Sequence, residues 1–238
     1  MKRIALLSLL ICAAASAQNR GERSLADAGY LANGFYVQAG YARGPSFSSF
    51  FDYINTTYHL TRGIDNFGGN ASFSLGYISR FHRNFALDVG FSIYGMNKEF
   101  EVVDTVSALP ESRIRQELNY QSAIFAGSLP VILEFSSKQP VVPYIGIGIS
   151  IFSLRLDHYR GVEALRDTRT AVGGHFGGGV AVKITKKLWL DLRGRWHAGT
   201  SHLLTLEHNS GTAALDFREF EIKQNVAQFS LGFDYFFR

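Results

Sequence analysis

Eight stretches of this chain alternate between a bulky apolar residue and a small or polar one, and that period of two limits its fold more than any other feature. They run roughly over 34–42, 68–80, 85–95, 120–135, 142–155, 173–184, 188–198 and 224–237. In the third, Phe85, Leu87, Val89, Phe91 and Ile93 share a face; in the fifth, Ile145, Ile147, Ile149 and Ile151; in the last, Phe229, Leu231, Phe233, Tyr235 and Phe237. Opposite them stand Asp88, Gly90 and Ser92, then Gly146, Gly148 and Ser150, then Gln228, Ser230, Gly232 and Asp234. A soluble barrel would turn the bulky face inward and cover its outside with long charged side chains. Here the second face is mostly glycine, serine and alanine, which fits the lumen of a narrow barrel whose bulky face meets lipid. Hydrocarbon offers no partner to backbone N–H and C=O groups, so such a sheet must close, the last strand pairing with the first.

The connections support this. Phe81–Asn84, Ser136–Val141 and Thr185–Lys187 are short, whereas those near 43–67, 96–119, 156–172 and 199–223 are long, the asymmetry of an outer-membrane barrel with periplasmic turns and extracellular loops. Near 98–104 and 217–223 the alternation continues with charges, as in Phe217, Glu219, Glu221 and Lys223, so strands are expected to project above the membrane there. Phe35, Phe85, Phe135, Tyr144, Trp189 and Tyr235 fall near the short-turn rim, and Tyr94, Tyr120 and Trp196 near the other, as candidates for interfacial girdles. The expected fold is all-β: a transmembrane, antiparallel, up-and-down barrel of about eight strands.

Lys2 and Arg3 precede an apolar run from Ile4 to Ala14 and small residues at Ala15 and Ala17, the pattern of a secretory signal peptide. The expected organisation is a signal over 1–17, a short periplasmic segment over 18–33 and a barrel domain over 34–238. Cys12 is the only cysteine, it lies in the signal, and Ile11 before it is too large for a lipoprotein cleavage site. No disulfide or thiolate metal site is then available to the mature chain. Removing Lys2 and Arg3 from the 24 basic residues leaves 22 against 20 acidic, too even for a nucleic-acid surface. The candidate spanning helix Val141–Leu154 is broken by Pro143, Gly146 and Gly148.

Strand parity sends Asp88, Glu134, His175, Lys183, Asp191, Arg193, Arg195 and Asp234 into the lumen, where mixed signs predict a self-satisfying polar network rather than a channel. Phe47, Phe50, Phe51, Tyr53 and Tyr58 make the first long loop unusually aromatic: either a contact surface or a cap that packs on the lumen. The histidines show no ligand spacing and there is no phosphate loop, so neither a metal nor a cofactor is expected. His208-Asn209-Ser210-Gly211 matches in letters the His-x-Ser pair of a lipid A deacylase family, yet Asn-Ser-Gly is turn chemistry and no acid is placed beside it.

The chain resembles the small outer-membrane β-barrel domain proteins, described as porin-like or PorT-like. The likeness lies in the leader ending Ala-Ser-Ala-Gln, in Leu129-Pro130-Val131-Ile132-Leu133-Glu134-Phe135 followed by Pro143-Tyr144-Ile145-Gly146-Ile147-Gly148, and in Phe229-Ser230-Leu231-Gly232-Phe233-Asp234-Tyr235-Phe236-Phe237. It covers the strands and none of the long loops. The resemblance implies outer-membrane residence after Sec-type export, contact with outer-membrane lipid and lipopolysaccharide, and recognition of the terminal Phe233, Tyr235 and Phe237 by the barrel-assembly machinery; this chain departs by ending in Arg238. The expected role is non-enzymatic, structural or surface-interacting through the long loops, with an unidentified protein partner. The alternatives are a narrow pore or small-solute conduit, an accessory component of protein secretion, and a lipid A-modifying acyl hydrolase.

Overall fold

The computed structural model describes residues 32–58, 63–104, 112–135, 139–207 and 216–237. The expected signal over 1–17 and most of the expected N-terminal segment lie outside them, as do His208 and Ser210. The strands are β1 (Ala32–Arg43), β2 (Gly69–His82), β3 (Phe85–Asp104), β4 (Ser112–Ile132), β5 (Val141–Arg160), β6 (Glu163–Lys183), β7 (Leu188–Glu207), β8 (Asp216–Lys223) and β9 (Val226–Phe237); one helix, α1 (Ser48–Thr57), lies between β1 and β2. From β1 to β8 each strand pairs antiparallel with the next, and β9 closes the ring on both β1 and β7. Thr200 faces Lys223 and His197 faces Val226 in one unbroken register, and Gln224 N–H donates to Gly199 O at 2.8 Å. β8 and β9 are therefore one stave, and the ring has eight.

The wall follows the alternation. Ile145, Ile147 and Ile149 on β5 and Phe229, Leu231, Phe233 and Tyr235 on β9 all face outward and are at least half exposed. The outward apolar run on β5 ends at Ile151 and gives way to Ser153 and Arg155. Ten residue steps of about 3.3 Å, tilted by about 40°, span roughly 25 Å, the height of an outer-membrane apolar band. β3 to β7 each hold 20 or 21 residues, twice what that crossing needs. The extra length stands outside the membrane.

Three expectations change. The connection over 156–172 is not a long loop: β5 and β6 pair up to Arg160 opposite Glu163, and Gly161 with φ 57° turns the chain with Val162. A two-residue hairpin needs positive φ at its first central position, which glycine supplies without steric cost. Likewise much of 96–119 and 199–223 is strand. β1 begins at Ala32, two residues before the expected barrel boundary. Tyr144, Trp189, Tyr94 and Tyr120 are not girdle residues, because parity turns them inward; Phe35, Phe85, Phe135, Trp196 and Tyr235 do face outward.

β1 and β2 stop at Arg43 and Gly69 while their neighbours continue, so above the membrane the wall is a curled six-strand sheet with a gap. The described parts of the β1–β2 connection, 44–58 and 63–68, fill that gap. Ser46 bridges to Lys223, Gly44 N–H donates to Gly68 O at 3.2 Å, and Ser49 Oγ donates to Glu221 O at 2.8 Å. Phe47, Phe50, Phe51, Ile54 and Tyr58 recur at intervals of three and four, the spacing of one helical face. That face is buried in the upper lumen against Tyr120, Leu118, Leu154, Leu156, Leu203 and Phe220.

Candidate functional site: the filled lumen

The lower lumen is polar and is built from alternate residues of every stave around it. Asp88 on β3 accepts from Tyr36 Oη at 3.0 Å, Arg193 Nη1 at 2.9 Å and Arg195 Nη2 at 2.5 Å. Asp191 on β7 accepts from Gln38 Nε2 at 2.7 Å, Tyr144 Oη at 2.7 Å and Arg193 Nε at 3.0 Å. The Arg193 guanidinium thus joins two carboxylates and lies 4.4 Å above the Tyr36 ring. Burying such charges is tolerable only when each finds partners of opposite sign. A separate group sits nearer the short-turn rim: Glu134 accepts from Arg80 at 2.5 Å and pairs with Lys183, and both cations lie over the Trp189 ring. Asp234 faces the same space, its Oδ1 without a hydrogen-bond partner among the described residues.

Glycine makes room for this packing. A Cβ on Gly76 or Gly90 would come 2.4 or 1.9 Å from the Tyr36 phenol, so the ring can cross the lumen only over bare backbone.

The eight lumenal residues expected from parity all face inward: Asp88, Asp191, Arg193 and Arg195 together, Glu134 with Lys183, and His175 and Asp234 outside both ion-paired groups. The sequence reading missed Tyr36, Gln38, Arg80, Tyr144 and Trp189, although the same parity rule points each of them inward. It also missed a cluster at mid-height. Ser150 Oγ lies 2.9 Å from His175 Nδ1 and 2.8 Å from His197 Nδ1, and His197 Nε2 is 3.1 Å from Gln228 Oε1. Ser150 has one proton for two imidazoles. With the Gln228 carbonyl accepting from His197 Nε2–H, Ser150 donates to His197 and accepts from His175. Ser150 and His197 are both fully buried, so this Ser-His pair has no access for an acyl substrate.

The aromatic first loop is corrected as a contact surface. Phe47, Phe50, Phe51 and Tyr58 are buried and Tyr53 is half-buried. Phe47 packs edge-on against Phe67 and Tyr120 with centroids 4.9 and 5.5 Å away, and Phe50 against Phe220 at 5.2 Å. Rings left in water would forfeit about 1.5–3 kcal/mol each, and the apolar top of the lumen covers them. Above the membrane-spanning level, His158 adjoins this plug: Leu206 N–H donates to its Nδ1 at 3.0 Å and its Nε2 meets Gln116 Oε1 at 2.8 Å. Burial, with a smaller contribution from Arg160, pushes its pKa down to about 3.

Two residual cavities in the lower lumen, around Asp88, Tyr144 and Arg193, hold about 20 Å³ each, room for about one water molecule. Among the described residues no group of histidines and carboxylates could hold a metal ion. Phe233 and Tyr235 project from the wall half exposed, and the Phe237 ring packs 5.4 Å from that of Phe35 at the closure seam.

The architecture is that of an integral outer-membrane barrel. The chain matches the outer membrane protein beta-barrel domain family over residues 4–237 and belongs to it. Among solved structures it is similar to the outer membrane protein OprG from Pseudomonas aeruginosa, with a TM-score of 0.59, 9% identity, and coverage of 88% of this chain and 98% of that one. It is also similar to neisserial surface protein A, with a TM-score of 0.47 and 17% identity over 84% of this chain and 96% of that one. Ail, the attachment invasion locus protein of Yersinia pestis, gives a TM-score of 0.40 and 15% identity over 86% of this chain and 99% of that one. No curated protein matches in sequence.

Proposed function

We propose that the protein is a non-conducting, non-enzymatic barrel that holds a rigid β-wall outside the membrane and acts by surface contact. The observation that carries this is the lumen, filled twice: below by the Asp88, Asp191 and Arg193 network, above by the apolar face of α1. Each filling blocks a solute path without the other. The outward face of the projecting wall carries both signs of charge, with Glu99 paired diagonally to Arg115 and Glu101 to Arg113, a patterned surface suited to a protein partner. Residues 1–17 supply the Sec-type export signal in this reading, and Phe233, Tyr235 and Phe237 the strand read by the assembly machinery.

The test is electrical: the protein is reconstituted in planar bilayers and in vesicles loaded with small sugars. Silence at 100 mV and no sugar efflux are expected, whereas a stepwise conductance would refute closure and favour a conduit. A lipid A mass spectrum that changes on expression, and reverts with Ser150→Ala or Ser210→Ala, would instead establish a hydrolase.

A further inference from the structure

The outer wall carries two furrows that meet where the apolar belt ends. The lower is lined by Ala39, Ala71 and Ala123, with Phe73 and Ile93 as its banks, and is largely apolar. The upper, about 330 Å³, is lined by the amides of Asn70, Asn97, Asn119 and Gln121. Gly95 and Gln121 belong to both, so the two are continuous. Small residues at Ala71, Gly95 and Ala123 leave a trough between bulkier neighbours, and its depth matches the end of the β5 apolar run at Ile151.

The upper furrow has open hydrogen-bonding capacity. Asn119 and Asn97 donate their amino groups to Glu117 Oε1 at 2.8 and 3.3 Å, and Asn70 donates to Gly95 O at 2.7 Å. The Asn97 and Asn119 carbonyl oxygens and the whole Gln121 amide have no partner among the described residues. At the junction Arg155 reaches Asp157 at 2.8 Å, and Arg166 reaches it from the other side at 2.7 Å. Burial alone would raise the Asp157 carboxyl, but hydrogen bonds from Arg155 and Arg166 outweigh it and hold the group below the usual carboxylate range. With the Glu117 carboxylate beside the Asn97 and Asn119 amides, two guanidinium groups and two carboxylates balance here, and Arg155 remains about two-fifths exposed toward the lower trough.

We propose that these furrows form one binding site for a phosphorylated glycolipid of the outer leaflet, lipopolysaccharide, with an acyl chain in the lower trough and head-group sugars on the amides. The assignment rests on outer-membrane residence and adds a defined lipid site to the surface-contact reading. Amides that accept and donate without charge suit sugar hydroxyls, the apolar trough below them suits an alkyl chain, and the exposed edge of the Arg155 guanidinium can donate to a phosphate oxygen while it keeps Asp157. A free saccharide would leave the lower trough uncovered, and a simple phospholipid, with two head-group hydroxyls at most, would leave most of the amides unpartnered.

The test uses the full mature chain in mild detergent, titrated with rough-type lipopolysaccharide and, separately, with phosphatidylglycerol, and read by native mass spectrometry. One retained lipopolysaccharide per barrel is expected, weakened at least tenfold by Ala123→Trp, which fills the trough from the lipid side, and severalfold by Gln121→Ala. Leu129→Trp, elsewhere on the exposed belt, is expected to leave binding unchanged. Heat-modifiable migration of every variant separates loss of the site from loss of the fold. Wild-type binding by Ala123→Trp would overturn the proposal, as would equal retention of phosphatidylglycerol with the same sensitivity. Neither result would disturb the closed-barrel reading, which the conductance assay tests separately.

Discussion

Replacing Arg193 by methionine should destabilise the barrel by roughly 3–5 kcal/mol, the usual cost of removing one partner from a buried ion pair. The methionine keeps most of the volume and the contact with the Tyr36 ring, so the loss is electrostatic. Arg193 is the only cation bonded to both Asp88 and Asp191 among the described residues. Without it Asp88 keeps Arg195, but Asp191 keeps only the neutral donors Gln38 and Tyr144. The folding equilibrium should fall by between about two and four orders of magnitude. With a urea dependence of about 1–3 kcal/mol per molar, the midpoint should drop by roughly 1–5 M. The assay is urea unfolding in lipid vesicles, followed by the heat-modifiable band shift and tryptophan emission. Adding Asp191→Asn to Arg193→Met should recover part of the loss, because the stranded charge is gone. A single-variant cost below about 1 kcal/mol, or no recovery in the double variant, would refute the network as the element that holds the lower lumen together.

Excising Phe47–Tyr58 in favour of a Gly-Ser linker should leave bilayers without steady conductance, because Tyr36, Arg193 and Tyr144 still cross the lumen below; an open pore would show that the helix alone is the seal. Phe50→Ala should cost about 3–5 kcal/mol locally and expose 44–68 to limited proteolysis of intact vesicles, with the band shift retained. His158 is neutral in the folded wall and titrates near 6.5 when unfolded, so its contribution is complete above pH 6.5 and is lost progressively toward the folded value of about 3. By pH 4.5 that loss is about 2–3 kcal/mol, and His158→Gln should flatten the acid dependence of hydrogen exchange in the upper hairpins. Gly90→Ala should displace the Tyr36 ring and lower the urea midpoint, since no Cβ fits beneath the phenol.

Period-two alternation determined the barrel, its eight staves, the lipid-facing side and the inward set from Asp88 to Asp234, because in a strand the side to which a residue points follows from counting. The same count pointed Tyr144 and Trp189 inward, yet their aromatic character drew them into an interfacial reading that the alternation contradicts. The helical spacing of Phe47, Phe50, Phe51, Ile54 and Tyr58 was also legible, though a loop between strands did not invite a search for period 3.6. What the tertiary structure alone decided is which inward residues meet. Asp88 lies 105 residues from Arg193, and His175 shares Ser150 with His197 across three staves. Such pairings depend on register, stagger and closure, which bring distant positions to one height in the lumen. The plug is of the same kind: an apolar helix face and an unfilled apolar lumen are each evident locally, but only the early ends of β1 and β2 open the gap through which one enters the other.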